Sequence, residues 1–305
     1  MLVCRMWVND ARGIKGMPDR ISRSCSKQFC LLIAAAALSV LLSAFSVHSH
    51  VLEGPHVLEL MTRNLAGAKT LRVDQQVTLI DSATPEQELV IRETLSYFFP
   101  DRFRSDTRNA QIERIFVQSG RETITIVDGY RTDDPESRFD RYKDLLLYRS
   151  RYALHKMLLS SNVDTGITSL GVFEGRVVYV IGADYPDDSV SQVWVDKESL
   201  LPVRWINVSS DEPDERIEFF YRDWQKKDNL WYPARIETQH QGRPIRRIDA
   251  IGLTVDVELQ GDLFDMAQLM RNFPPEESVA TPAVPESGVD EVQRAIEQFQ
   301  QKFEN

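Results

Sequence analysis

From Leu71 to Phe99 apolar and polar residues alternate. Leu71, Val73, Val77 and Leu79 are separated by Arg72, Asp74, Gln76 and Thr78, the period-two pattern of a strand with one buried face. After Pro85 the pattern returns with larger groups. Leu89, Ile91, Leu95, Tyr97 and Phe99 fall on one side, with Glu93 the exception, until Pro100-Asp101 breaks the run. Phe103 starts the next piece. Further strands are expected at 111–118, 122–128, 167–173, 176–182, 190–195, 201–208, 215–224, 230–239 and 244–259, punctuated by Gly120, Gly129, Gly175 and Gly242. Strands that follow one another this closely pair antiparallel.

The stretch SQVWVDKESLLPVRWINV, residues 191–208, departs from simple alternation. Asp196 to Ser199 form a polar turn. Val193 and Val195 face one way and Trp194 the other; on the next strand Val203 and Trp205 face one way and Ile206 the other. A hairpin with large apolar groups on both faces needs cover on both, unlike one with a wet face.

Helical spacing appears in few places. Gly54-Pro55 opens a helix carrying Leu58, Met61 and Leu65. Asp134-Pro135 begins a longer helical stretch, one helix or two, that runs through ESRFDRYKDLLLYRSRYALHKMLLSSNV and ends at Asn162 and Gly166. DLFDMAQLM, 262–270, reads as a short helix. Residues 274–288 hold a cluster of prolines and read as a linker. Beyond them Val292, Ile296, Phe299 and Phe303 share one face of a closing amphipathic helix or a frayed tail.

A long antiparallel sheet interrupted by a mid-chain helical insert is an α+β design. Such a sheet twists and curls. The expected architecture is therefore a curled antiparallel sheet forming an incomplete β-barrel, with the inserted helices as a lid across its concave side.

The N-terminus reads differently from the rest. Arg20, Arg23 and Lys27 precede an apolar run from Phe29 to Val47 and then small residues, the order of a secretory signal peptide. The segments divide as 1–49 signal peptide, 50–272 folded domain, and 273–305 linker with short helix. An uncleaved inner-membrane anchor is the alternative, since about 19 apolar residues nearly span a bilayer. Cys4, Cys25 and Cys30 all lie in or before this segment. The exported part then has no thiol for a disulfide, a nucleophile or a metal. Residues 1–49 hold six Lys/Arg and two Asp/Glu, leaving 30 basic and 44 acidic residues and a net charge of −14. That balance argues against nucleic acid as a partner, because phosphates need a basic face.

Catalytic signatures are missing. No G-x-S-x-G elbow, H-E-x-x-H, P-loop or G-x-G-x-x-G occurs. Ser160, Ser161, His155 and Asp164 are close in sequence, but nothing around them marks a nucleophile. HSHVLEGPH (48–56) reads as a segment beside the processing site, although a third-position His can join an amino terminus on copper or nickel. DYPDDS and DEPDE lack calcium-loop spacing. No enzyme activity, cofactor or metal is expected.

HVLELMTRNLAGAKTLRVDQQVTLID, YFFPDRFR, TITIVDG, SQVWVDKESLLPVRW, FFYRDWQKKDNLWYPARIE and GDLFD together resemble the outer-membrane lipoprotein carrier and sorting family, the LolA-like fold, over roughly residues 51 to 270. The resemblance implies an open barrel with a helical lid over an apolar cavity that binds acyl chains in the Gram-negative envelope. It also implies exchange with an inner-membrane donor and an outer-membrane acceptor. In carriers that escort lipoproteins, an arginine before the proline ending the second strand helps to latch the lid; here that place is Phe99.

The reading is a periplasmic binding or carrier protein for lipids or lipoprotein acyl chains. A regulatory sensor acting through a membrane partner is the alternative. Cavity residues are expected to be Leu89, Ile91, Leu95, Tyr97, Phe99, Trp194, Trp205, Leu146 and Met157. A basic island on the lid, represented by Arg141, Arg149, Arg151 and Lys156, is expected to meet head groups or the membrane surface; a solvated face paired to acidic neighbours is the alternative.

Overall fold

The computed structural model describes residues 51–80, 88–108, 113–132, 137–209 and 215–275. The expected signal segment, the Asp134-Pro135 helix start, the greater part of the proline-rich linker and the closing helix lie outside them.

Among the described residues thirteen strands form one antiparallel sheet. Six run outward from the centre: β1 (Thr70–Ile80), β2 (Glu88–Phe98), β3 (Arg102–Arg108), β4 (Glu113–Ser119), β5 (Glu122–Val127) and β6 (Tyr130–Thr132). Seven return from the opposite edge: β7 (Thr168–Phe173), β8 (Arg176–Ile181), β9 (Gln192–Asp196), β10 (Pro202–Val208), β11 (Arg216–Lys227), β12 (Leu230–His240) and β13 (Arg243–Val255). β13 lands beside β1, with Leu71 opposite Val255 and Val77 opposite Ile248, so β6 and β7 are the two edges of an unclosed sheet. The chain leaves at one edge and re-enters at the other, so the segment between them must cross a sheet face.

Sequence alternation foresaw eleven of these strands and missed β3 and β6. In β3 only Phe103 is a large apolar residue, and Ser105 takes the next inward place. Pairing to β2 and β4 holds it as a strand. β6 has three residues, too few for a period.

The helices are short. α1 (Gly54–Leu65) starts with Pro in its first turn and buries Val57, Leu58, Met61 and Leu65. The crossing segment breaks into a 3-10 helix (Arg138–Lys143), α2 (Asp144–Leu147) and α3 (Arg151–Ser160). Ser137 and Ser150 cap two of these pieces by accepting from the amides of Phe139 and Ala153. A second 3-10 helix (Gly261–Phe264) precedes α4 (Met266–Asn272), capped by Asp265. Gly67, at φ +153, joins α1 to β1; a Cβ there would stand 2.2 Å from the Asn229 carbonyl oxygen.

Both sheet faces are covered, by different material. The concave face carries the main core, where in-facing strand residues meet α1 and Leu145, Leu146, Leu147, Leu154 and Leu158 of the crossing helices. On the convex side Phe264, Met266 and Leu269 cover Ile115, Val117, Ile124 and Ile126 of β4 and β5. Farther along, Phe173, Val178, Val180, Trp194 and Val203 form a third cluster. A bulge between Pro202 and Arg204 explains its membership. The extra residue sends Val203 to the side of Trp194, while Trp205 pairs with Val193 in the main core. Val203 and Trp205 therefore do not share a face, contrary to the simple alternation.

Candidate functional site

The concave face is where strand periodicity, lid and buried charge meet. Its register sets the rows. Leu71 opposes Tyr97, Val73 opposes Leu95, Gln75 opposes Glu93 and Val77 opposes Ile91. Three of these four rows are apolar on both strands.

The Gln75–Glu93 row is polar and continues onto β3 and β4, where Glu93 opposes Thr107 and Thr107 opposes Arg114. Glu93 is buried and accepts from Gln75 Nε2 at 2.5 Å, from the Ser105 hydroxyl and from Thr107 Oγ1 at 3.4 Å. Gln75 Nε2 also donates to Tyr142 Oη of the lid at 3.2 Å. The one acidic residue that broke the β2 pattern thus organises a hydrogen-bonded strip under the lid, as a buried carboxylate must.

The lid's first half is clamped by charge. Asp140 accepts from Arg246 Nη1 of β13 at 2.8 Å and from Arg114 Nη2 of β4 at 3.1 Å. Burial alone would raise the pKa of this carboxyl. The two guanidiniums outweigh burial and hold it well below the usual carboxylate range. Arg138 Nη2 and His240 Nε2 both reach Glu215 Oε2 at 2.9 Å, a second tie between lid and sheet. Burial pushes Glu215 up, but hydrogen bonds from His240 and Arg138 prevail and lower it. Tyr221 Oη donates to the Tyr142 carbonyl at 2.8 Å. Lys143 is fully buried over the rings of Phe103 and Phe116, 5.5 and 5.4 Å from their centroids, with Asp144 Oδ1 at 3.3 Å.

The second half is held differently. Arg149, between α2 and α3, turns its guanidinium inward and stands 4.2 Å over the Phe99 ring. Its Nη1 donates to the Leu65 carbonyl at the end of α1, where the helix dipole favours a cation. Its Nε and Nη2 are sealed from solvent with no acceptor among the described residues. Burial pushes the guanidinium down to about 10. Nearby, Tyr97 and Tyr232 meet hydroxyl to hydroxyl at 3.3 Å, and burial raises both phenols.

Of the expected cavity residues, Ile91, Leu95, Tyr97, Trp205 and Leu146 are buried in the concave core; Leu89, Phe99 and Met157 pack against it half-buried. Trp194 does not belong with them. It lies on the convex side beside Phe173 and Tyr185, ring centroids 5.7 and 6.0 Å away, with the Arg204 guanidinium 4.6 Å above it. The strand period puts Trp194 opposite in direction to Val193 and Val195, so concave burial of those two sends it outward.

The residues of the basic island have different surroundings. Arg149 is half-buried, with its guanidinium turned inward over Phe99. Arg151 Nη1 is paired with Glu59 of α1 at 3.2 Å. Arg141 and Lys156 have no ion pair among the described residues, and Lys156 is exposed. Tyr152 and Leu159 on α3 are exposed too, at 76% and 50%.

Ser160 donates to the Met157 carbonyl, His155 Nδ1 meets Thr165 Oγ1 at 3.0 Å, and Asp164 accepts from the Gly166 amide. These residues form no relay with one another. No group of three or more metal-ligating side chains occurs among the described residues. A separate open cleft of about 410 Å³ lies at the hairpin ends, lined by Phe173, Arg222, Trp224 and Trp231 among others.

No family model and no curated protein matches the chain. Solved structures do. A LolA superfamily protein from Nitrosomonas europaea is 12% identical, covers 71% of this chain and 99% of its own, and superposes with a TM-score of 0.50. The fold is the LolA-like fold. A domain from Vibrio parahaemolyticus assigned to outer membrane lipoprotein sorting is 13% identical with a TM-score of 0.47, over 71% of this chain and 97% of its own. A DUF1329 family protein from Desulfovibrio piger is 15% identical with a TM-score of 0.48, over 71% and 98%. The concave face and its helical cover hold the buried charges described above. Sequence reasoning passed over Glu93, Asp140, Arg246 and Glu215 there. The charge of Glu93 inside an apolar stripe was the available signal; the other three become visible only when distant strands meet.

Proposed function

We propose that this is a periplasmic binding or carrier protein that takes a lipid, or the acyl chains of a lipoprotein, between its sheet and its lid. The observation that carries the proposal is the construction of the lid. A concave face lined by Ile91, Leu95, Tyr97 and Trp205 is covered by short helix pieces, each tied down by a few polar contacts. Short interrupted helices have little stability of their own. They can leave one apolar surface if another apolar surface replaces them.

An acyl chain is such a replacement. Each buried methylene contributes roughly 0.8 kcal/mol, so a chain of a dozen carbons offsets the loss of several lid leucines. Asp140, Glu215 and Arg149 set the resistance of the closed state; Arg149 takes the latch role from the lid side, over Phe99. Lys156, with Tyr152 and Leu159 at helical spacing beside it on α3, then gives a basic and apolar face suited to a membrane surface, where an inner-membrane donor or outer-membrane acceptor would load and unload the protein.

The test is mass spectrometry of an organic extract from protein purified out of the periplasm. A stoichiometric lipid or acylated peptide is expected. A protein that is empty, and that stays empty after incubation with envelope lipid vesicles, refutes the reading.

A further inference from the structure

Arg149 differs from the other arginines that reach the concave face. Arg114 and Arg246 share the Asp140 carboxylate, and Arg138 has Glu215. Arg149 has no carboxylate partner among the described residues; its neighbours are the Phe99 ring, the Leu65 carbonyl and the hydroxyls of Tyr97 and Tyr232. A guanidinium edge buried without a counter-charge is costly, and proteins seldom keep one without a use for it.

The two nitrogens without an acceptor are not a random pair. Nε and Nη2 lie along one edge of the guanidinium and point their hydrogens the same way. Arg204 uses that edge to hold Glu218, and Arg104 uses it to hold Asp106. It is the edge that grips two oxygens of one carboxylate or phosphate at once. The other nitrogen, Nη1, is the one occupied by Leu65. The fork edge is therefore built, placed over Phe99, dry, and without an anion from the described residues.

We propose that this edge of Arg149 receives the anionic head of the ligand, so that the ligand is an amphiphile carrying a carboxylate or phosphate at the end of its chain. The inference rests on the ligand-binding reading above and narrows it. The head sits at the α2–α3 junction, beside Tyr97 and Tyr232, whose neutral hydroxyls add donors for a third oxygen. The chain runs along the apolar rows that the lid leucines now cover. Because Arg149 belongs to the lid and its Nη1 ties the lid to α1, binding the head tells the lid that the cavity is filled. A neutral chain can enter but leaves the fork edge unsatisfied.

The experiment is calorimetric titration of the lipid-stripped full-length exported protein with dodecanoate and dodecyl phosphate below their micelle concentrations, dodecan-1-ol below its solubility, and inorganic phosphate. Dodecanoate or dodecyl phosphate is expected to bind about tenfold to a hundredfold more tightly than dodecan-1-ol, the factor that a charge-assisted hydrogen bond supplies. Which of the two leads identifies the head. Arg149→Met is expected to bind all three chains with the affinity the wild type shows for dodecan-1-ol. Equal binding of the three chains by the wild type overturns the proposal and leaves the ligand-binding reading standing. Inorganic phosphate binding as tightly as dodecyl phosphate also overturns it, since the chain would then be irrelevant. Binding of none of the four overturns the proposal and the broader reading together. The wild-type comparison decides the matter even if Arg149→Met does not fold.

Discussion

Asp140→Asn is the most informative single change to the lid clamp. The carboxylate holds two guanidiniums, Arg246 at 2.8 Å and Arg114 at 3.1 Å, and its side chain is 13% exposed against 12% and 30% for theirs. Removing it leaves Arg246, almost wholly enclosed, without its counter-charge. Breaking a buried pair from one side costs about 3–5 kcal/mol, a large fraction of the roughly 5–15 kcal/mol that stabilises an ordinary domain. The pH dependence carries a second signature. The folded carboxyl is held below the ordinary value of 3.8. Its contribution is complete above about pH 4 and disappears as pH falls toward the depressed folded value. Urea unfolding at pH 7 should show the loss. A series from pH 6 to pH 2.5 should show a shallower acid decline for Asp140→Asn than for the wild type. Hydrogen exchange should rise first in residues 138–147, where the clamp is attached. A variant within about 1 kcal/mol of wild type at pH 7, or one with an equally steep acid limb, refutes the clamp.

Three other outcomes follow from the geometry. Trp194→Ala should cost about 3–5 kcal/mol of stability and leave acyl-chain binding intact, whereas Trp205→Ala should damage both, as read by thermal melts and chain titration. Glu215→Gln removes the negative charge that Arg138 and His240 share; a loss of about 1–3 kcal/mol is expected at pH 7 and should shrink below about pH 4.5, since the folded carboxyl is lowered and its contribution fades as pH falls. Gly67→Ala places a Cβ 2.2 Å from the Asn229 carbonyl oxygen and should cost on the order of 2 kcal/mol or more in urea unfolding.

Period two was enough to recover most strands and the inward set on β1 and β2, because a strand side chain has only two directions to choose from. It failed where the period is interrupted. The bulge at Val203 reverses one residue and leaves no mark in the local composition. β3 is a strand because of its neighbours rather than its own side chains. The charges on the lid were legible as a cluster, but their destinations were not. Arg138, Lys143 and Arg149 face inward because Glu215, the rings of Phe103 and Phe116, and Phe99 come to them from strands far away in the chain. Phe99 was noticed as the residue in the latch position. That an arginine would approach it from the opposite direction depends on tertiary packing.

The pairing of β1 with β13 has a consequence for how the chain reaches this state. Neighbouring strands inside each run, β1 to β6 and β7 to β13, follow one another in sequence and can zip as hairpins within microseconds. The central pair joins Leu71 to Val255, nearly opposite ends of the described chain. Closing so large a loop costs entropy before any contact repays it. The last major event of folding should therefore be the meeting of two preformed half-sheets at β1 and β13. Arg246 belongs to β13 and Arg114 to β4, so Asp140 acquires both of its partners only after that meeting. The lid clamp is thereby completed only in molecules that have finished folding.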